Sequence, residues 1–540
     1  MNRKTLALIG LIIILAAVLR IVHLSSVPIA PYWEEAALGY DAFSIAQTGK
    51  DCHGNSFPLL AFSSFGDYKP SLYFYAVAPF TKLFGLGTFA VRFPSVLAGI
   101  GTLICIFIIG KKLFSQEIGL IAAFLFAIQP WNMHISRVGF ETNLATFLIT
   151  LGVLCVVMAR EKIWYLLLSA LCFGLSMYAY HSARIVAPLL GIATFLLMFF
   201  PFKKDFNKLV VAIIASVLLA LAFSLPIFMN VKNPVVAQRA AETSIFSDLK
   251  IIKESNLLKE EDGNTFLSRI LHHRYVLFGE KILTNMSSNF RLDFLFLDGD
   301  ENPRHQTGEF GLLYHWDFIS ICVGLYLILK NRSNKHILLV LWMLIASIPP
   351  ALTTVSPHTL RFLSASPAFS LVSALGLWQI IQSLKMLKQT YLRAAISLAI
   401  IVVILVELAA YVDYYFRFYP QLSASEWQYG YEELYKVLRE NKGPTEQVYV
   451  TREQGRPAMY YAFYDKLDPV FVQSQSQIVP KDQQELLKIG DYTFIDEIPQ
   501  TLTKGLYASS PDHLPEKANL LHQIVLPNGK VIWNVWRPND

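Results

Sequence analysis

Two adjacent glutamates, Glu34 and Glu35, stand in a largely apolar stretch near the start of the chain. A carboxylate close to lipid is costly unless it is used or paired. One such group can act as a general base or can bind an acceptor; the plain alternative is charge compensation at a helix start, where acids are favoured. Downstream, the run Gly66-Asp67-Tyr68-Lys69-Pro70 places a lysine directly before an aromatic stretch. A lysine can snorkel there, or it can hold a phosphate at headgroup depth beside a helix N-terminus. Arg137 and Glu141 are four apart, so on a helix they share a face, as a simple ion pair or as a substrate-facing pair. His181 and Arg184, Arg304 and His305, and His358 and Arg361 follow at three further polar junctions. Any one of these is an ordinary headgroup anchor. Four arginines and three histidines in such places, with a lysine, suggest an anionic ligand such as a phosphate or pyrophosphate.

Other chemistries lack their residues. There is no Gly-rich phosphate cradle, no metal-spaced Cys/His set and no GxSxG elbow. Soluble nucleotide-sugar or ATP chemistry is therefore unsupported, and no metal ligands are assigned. Four of the five cysteines, Cys105, Cys155, Cys172 and Cys322, lie in apolar runs and only Cys52 in a polar loop, so no disulfide framework follows.

The elements that position these residues must be membrane helices. The 540 residues are 54% hydrophobic and 16% charged, with a mean hydropathy of +0.42. A soluble globular chain carries about 25% charged residues. The apolar runs are continuous rather than alternating, which selects helices over a barrel. Eleven spans are expected, at 5–22, 91–110, 117–131, 142–159, 163–180, 185–201, 209–229, 313–330, 336–352, 362–383 and 394–412. The first has too long an apolar core for a signal peptide and no clean cleavage site, so it reads as a retained span.

Loop charge then sets the topology. The N-terminus and every second connection hold fifteen Lys or Arg (Arg3, Lys4, Lys111, Lys112, Arg160, Lys162, Lys203, Lys204, Lys208, Lys330, Arg332, Lys335, Lys385, Lys388, Arg393) against three acids (Glu117, Glu161, Asp205). The positive-inside rule puts these segments in the cytoplasm and the C-terminus outside. The +6 net charge is thus a topology signal and not a nucleic-acid signal. All the candidate site residues fall on the opposite, outer side, in an integral membrane protein of what reads as a bacterial plasma membrane.

Three outer segments are large. His23–Ala90 contains an expected interfacial helix, 33–48, bounded by Pro31 and Gly49, and a second aromatic one, 70–84. Residues 230–312 are polar and of mixed charge. The tail, 413–540, shows an amphipathic helix over 425–441 and strand-like runs at 447–451, 469–472, 492–495 and 530–535, the pattern of a small α/β domain. Two domains are expected, 1–412 in the membrane and 413–540 outside it.

These residues resemble the GT-C class of membrane glycosyltransferases, in particular the group containing protein O-mannosyltransferases and the lipid A aminoarabinose transferase. The family's acidic pair in a juxtamembrane helix matches Glu34-Glu35, followed by Gly39-Tyr40 and Thr48-Gly49-Lys50-Asp51. Its Lys-Pro-x-Leu-Tyr segment matches Lys69 to Tyr73, and its Arg-Phe-Pro-Ser lead-in to span two matches Arg92 to Ser95. Ser136-Arg137 with Glu141, and Pro357-His358 to Arg361, match later elements. The match covers roughly residues 5–380 and is densest over the first 150. One departure is that the family's first acid is usually Asp, whereas here it is Glu34, one methylene longer.

The resemblance implies an all-α polytopic bundle of the GT-C type that moves a sugar from a polyprenyl-phosphate carrier to an acceptor outside. Glu34, with Glu35 beside it, would be the catalytic carboxylate. Lys69, Arg137, Arg304 and Arg361 would hold the donor phosphate. Asp67, Glu141, His181, Arg184, His305 and His358 would face substrate. Fixed cations suffice in that scheme, so no cofactor is required; a divalent metal is compatible with it but not indicated. Protein, glycolipid and cell-wall polymer all fit as acceptors, and membrane lipid is the only other partner. A lipid-linked sugar flippase is the rival class, but transporters place polar groups near the midplane and show repeats. Here span interiors are nearly free of charge, with Glu407 the main exception. An outer-face polysaccharide ligase is closer in kind.

Overall fold

The computed structural model describes residues 3–200, 206–475, 485–516 and 518–539. Each of the eleven apolar runs is helical: Arg3–Ile21, Thr88–Leu113, Gln116–Ile128, Glu141–Ala159, Tyr165–Ser176, Ala183–Phe199, Phe206–Met229, Asp317–Asn331, Asn334–Ala351, Ser366–Lys385 and Thr390–Asp413. Among the described residues, seven helices are long and apolar enough to cross a membrane, and three shorter ones are apolar. Of the expected cytoplasmic residues, Lys203, Lys204 and Asp205 lie outside the described residues.

Several boundaries differ from expectation for local reasons. The expected span 117–131 stops at Ile128, because Gln129 precedes a proline and is extended (ψ 134°). Pro130 then starts a separate short helix, Pro130–Ile135, where its missing N–H costs nothing. The expected 70–84 helix begins at Leu72 because Asp67–Pro70 is a strand.

The chain forms two compact units. One comprises Met1–Leu19, Leu97–Ser136 and Glu141–Tyr411; the other comprises Arg20–Val96, Arg137–Phe140 and Val412–Asp540. The second unit therefore combines most of the first outer segment with the tail, where the sequence suggested a boundary at 412.

In the first unit the helices close through small residues. A Cβ at Gly376 would sit 1.7 Å from the Ser320 carbonyl oxygen, and one at Gly324 would sit 2.1 Å from that of Val372. Helices Asp317–Asn331 and Ser366–Lys385 thus meet backbone to backbone, as membrane helices do when van der Waals contact replaces the hydrophobic drive. The buried Asp317 carboxylate is satisfied there by Ser373 Oγ (2.7 Å) and Gln129 Nε2 (3.2 Å). The segment between Met229 and Asp317 is mostly helical, with Pro234–Thr243, Leu249–Glu261, Phe266–Leu271 and Arg274–Ser288.

In the second unit, helix Trp33–Thr48 ends at Gly49 as expected. An antiparallel hairpin, Ala61–Ser64 with Asp67–Pro70, pairs Phe62 with Lys69 and leads into helix Leu72–Phe84. Its two-residue turn has Phe65 at φ 53° and Gly66 at φ 80°. Positive φ at both positions is the turn whose twist suits a tight hairpin, and Gly66 supplies half of it without strain.

The tail forms a six-stranded sheet in the order Lys488–Ile489, Tyr492–Ile495, Val448–Thr451, Leu506–Ser509, Val531–Pro538 and Ala518–Val525. The three central strands are parallel and the outer pairings antiparallel. Two expectations fail here. The run 469–472 is not a strand but the start of helix Pro469–Ser474: Pro469 opens it, and the Asp468 carboxylate caps the Val470 N–H. The amphipathic helix begins at Tyr431, not at 425, because Gly430 (φ 107°) turns the chain in a conformation closed to other residues.

Candidate active site

Glu34 and Glu35 occupy the first turn of helix Trp33–Thr48. Successive helical residues point about 100° apart, so the two carboxylates meet different surroundings. Glu34 Oε1 lies 2.7 Å from Lys69 Nζ, and Glu34 Oε2 accepts a 2.7 Å hydrogen bond from the Tyr32 hydroxyl. The Glu34 side chain is one-third exposed, and that of Lys69 is 12% exposed. The hairpin register delivers Lys69: its partner Phe62 stacks on Phe74 of the following helix at 4.1 Å, fixing the strand against that helix.

Glu35 is wholly buried. Arg92 binds both its oxygens, Nε to Oε1 at 2.9 Å and Nη2 to Oε2 at 3.0 Å, and the Gly139 N–H donates to Oε1 at 2.8 Å. Arg92 spends its other hydrogens on the carbonyls of Leu24 (3.0 Å), Pro28 (2.9 Å) and Ala30 (2.8 Å), and lies over the Trp427 ring. This is a two-pronged ion pair in which all five guanidinium hydrogens are used. It pins helix Trp33–Thr48 to the chain leading into it and to the 137–140 turn.

Arg137 is also fully buried. Its Nη2 donates to the carbonyls of Val22 (2.8 Å) and Val27 (2.9 Å), and its guanidinium lies over the rings of Tyr415 and Phe416. Asp67 turns back on its own backbone, its carboxylate accepting the Tyr68 N–H at 2.8 Å. Glu34, Glu35, Asp67, Lys69 and Arg137 thus share one unit, and Glu34 and Lys69 form a direct pair.

The tail takes part in holding the acidic helix. Gln428 Oε1 accepts the Trp33 N–H at 2.9 Å and the Tyr460 hydroxyl at 2.8 Å. Gln473 Nε2 donates to Ser44 Oγ and Thr48 Oγ1 at 3.0 and 3.1 Å, and Tyr40 donates to the Leu467 carbonyl at 3.1 Å. Arg456 lies over Trp33 and Phe65. Sequence reasoning missed Tyr32, Arg92, Gly139, Gln428 and Arg456. Only Arg92 gave a signal, as part of the Arg-Phe-Pro-Ser match.

The remaining candidates belong to the other unit. Glu141 opens helix Glu141–Ala159 and is nearly buried. His181 stands in the turns before Ala183–Phe199; Arg184, in that helix's first turn, reaches the carbonyls of Met177 (3.5 Å) and Val236 (3.4 Å). Arg361 Nη1 donates to Thr353 Oγ1 at 2.8 Å. Arg304 Nε is 3.5 Å from Asn302 Oδ1, and the Arg304 carbonyl meets His134 Nε2 at 2.9 Å.

His305 and His358 converge on a residue that the sequence had not singled out, Asp300. Its Oδ2 lies 3.5 Å from His305 Nδ1 and 3.9 Å from His358 Nδ1, with the two rings 5.0 Å apart. The same oxygen accepts the Thr359 N–H at 2.6 Å, and Oδ1 accepts the Asn302 N–H at 2.9 Å. Burial pushes the Asp300 carboxyl up, but the two imidazoles and the Thr359 N–H outweigh it and hold the group below the usual carboxylate range.

Residues 68–231 match the family described as "Dolichyl-phosphate-mannose-protein mannosyltransferase". A protein carrying a mannosyltransferase name, YycA of Bacillus subtilis, is 24% identical over 166 residues, which are 29% of this chain and 24% of that protein. The chain therefore matches about a quarter of that relative's length. Among solved structures, ArnT from Cupriavidus metallidurans, bound to undecaprenyl phosphate, superposes with a TM-score of 0.56 at 11% identity, over 98% of this chain and 97% of that one. The oligosaccharyltransferase AglB from Archaeoglobus fulgidus, in complex with an inhibitory peptide and a dolichol-phosphate, gives 0.53 at 14% identity, over 86% and 63%. At such identities the likeness shows the fold: a helical membrane bundle with a small sheet domain at the C-terminus.

Proposed function

We propose, for a chain with the architecture of the GT-C class of membrane glycosyltransferases, that it transfers a monosaccharide from a polyprenyl-phosphate carrier to an acceptor on the outer face of the membrane. The observation that carries this reading is the Glu34–Lys69 pair, a part-exposed carboxylate 2.7 Å from a lysine at the end of an interfacial hairpin. The family match at 68–231 begins one residue before that lysine. The structural relatives named above were solved with polyprenyl phosphates, which fits a lipid-linked donor. The loop charges support the outer location.

In this reading Glu34 takes the proton from the acceptor hydroxyl or amine as the acceptor atom bonds to the anomeric carbon. The bond from that carbon to the phosphate oxygen breaks on the opposite face, so configuration inverts. The leaving polyprenyl phosphate carries the negative charge, and Lys69 stabilises it. Substrate arrival therefore exchanges the lysine's partner from carboxylate to phosphate, which leaves Glu34 a stronger base. Glu34 is longer than the family's usual Asp, but two fixed partners, Tyr32 and Lys69, define where its oxygens lie. Glu35, with Arg92, positions the helix. The acceptor is a protein, glycolipid or cell-wall polymer. The scheme uses no cofactor.

The test is release of polyprenyl phosphate from a purified polyprenyl-phosphate mannose by the protein in nanodiscs, with cell-envelope extract as acceptor. Wild type should turn over, and Glu34→Gln should lose ~10²–10⁴ of the rate while donor binding persists. Near wild-type turnover in Glu34→Gln sinks the base assignment. Donor translocation across vesicles without any bond cleavage would favour the flippase reading instead.

A further inference from the structure

The cluster of Asp300, His305 and His358 has no part in the transfer scheme, and its shape calls for an explanation of its own. The three ligand-type atoms, one carboxylate oxygen and two imidazole nitrogens, lie within 4.8 Å of one another. Asp300 is 7% exposed, and the two histidine side chains are 12% and 13% exposed. This is an interior cluster, unlike the exposed acid groups that are common on any surface.

Its distances suit a cation better than direct hydrogen bonds. N–H···O bonds cluster near 2.9 Å. Here the two nitrogen–oxygen separations are 3.5 and 3.9 Å. Around a tetrahedral ion with bonds of about 2.0–2.1 Å, ligand atoms stand roughly 3.3–3.4 Å apart. The two nitrogen–oxygen separations lie within about half an ångström of that spacing. Both histidines present the same nitrogen, Nδ1, to the same oxygen, Oδ2.

The backbone has already been fixed around the set. Asp300 accepts N–H groups from Asn302 and Thr359, so one carboxylate ties together the two segments that carry the histidines. His134 holds the Arg304 carbonyl immediately before His305. Metal sites show this kind of outer support, which orients each ligand before the ion arrives. Two hydroxyls in the same segments, Thr307 Oγ1 and Thr359 Oγ1, are buried without a hydrogen-bond partner.

We propose that Asp300, His305 and His358 form a binding site for one divalent transition-metal ion of the zinc type. Two imidazoles and one carboxylate suit that class better than magnesium or calcium, which favour all-oxygen sets. Three protein ligands leave a fourth position for water. The ion clips the 300–305 segment to the start of helix Thr359–Phe362, and so fixes the backbone that bears Arg304 and Arg361. Zinc binding is measured without the transfer reaction, so either reading can fail alone.

The experiment uses the full chain in nanodiscs, freed of any histidine tag, stripped with a chelator and titrated with zinc chloride. Elemental analysis after gel filtration should find one equivalent of zinc in wild type. Cobalt substitution should give the visible absorption of a low-coordinate site. Asp300→Asn and His305→Gln should each weaken zinc binding by more than the ~10–100-fold that loss of an outer-shell partner costs, whereas His315→Gln, at a surface pair with Glu407, should leave it unchanged. If a ligand variant fails to fold, wild type decides: its melting temperature should fall with chelator and recover with zinc. Wild type that retains no zinc and shows no such shift, or equal binding in a folded Asp300→Asn, overturns the proposal.

Discussion

Lys69 Nζ sits 2.7 Å from Glu34 Oε1, although 35 positions separate the two residues in the chain. One comes from the first turn of a helix and the other from the second strand of a hairpin, so the pair exists only once both elements have docked. An ion pair this exposed adds little stability on its own. In the proposed reaction its value lies in placing a base and a cation on the same spot.

Lys69→Met follows directly. Methionine keeps most of the apolar stem and removes the charge. Donor binding should weaken and turnover should fall ~10²–10³, the usual cost of losing one preorganised electrostatic contact. Binding and single-turnover rate are to be measured separately in nanodiscs; if neither moves, the lysine is not a phosphate ligand.

Glu35→Gln should act through stability. It leaves Arg92 buried with half its pairing gone, and breaking a buried pair by removing one partner costs about 3–5 kcal/mol. Thermal unfolding in detergent should show a large drop. Any folded fraction should keep a normal KM for donor. Loss of turnover at unchanged melting temperature would instead put Glu35 among the reacting groups.

Burial pushes the Asp41 carboxyl up to about 7, with Asp51 adding to the shift, and burial likewise pushes Glu485 up to about 7. In the unfolded chain such groups titrate near 4. Between about pH 4 and 7 the folded form keeps protons that the unfolded form has lost, so these groups make stability fall as pH rises through that window. The difference in melting temperature between wild type and Asp41→Asn should therefore change sign or shrink between pH 5 and pH 7.5, with the variant gaining at the higher pH. A pH-independent difference would mean that Asp41 is ionised throughout.

The outer location is tested by labelling. A cysteine at position 34 or 69 should react with a membrane-impermeant thiol reagent added to intact cells, and one at position 204 should not. Labelling at 204 alone reverses the topology.

The helices were legible because lipid leaves the backbone a single solution, so each apolar run declared itself. Glu34 and Lys69 were legible as charges in expensive places. The different surroundings of Glu34 and Glu35 were not. They depend on Arg92 and the Gly139 N–H, which reach the second carboxylate from 57 and 104 residues away. Arg137 looked like a phosphate ligand for the same reason: sequence shows its charge but not the carbonyls of Val22 and Val27 that occupy it. Asp300 escaped notice because its neighbours are acidic and polar, and only the return of the chain at His358 gives it meaning.

The grouping of Arg20–Val96 with Val412–Asp540 in one compact unit also bears on how the protein is made. The acidic helix and its lead-in leave the ribosome 395 to 429 residues ahead of Gln428, Tyr460 and Gln473, which steady them. Throughout synthesis that loop must wait while the intervening spans insert. A nascent chain that has not yet reached them thus carries Glu34 on a helix without the contacts that steady it.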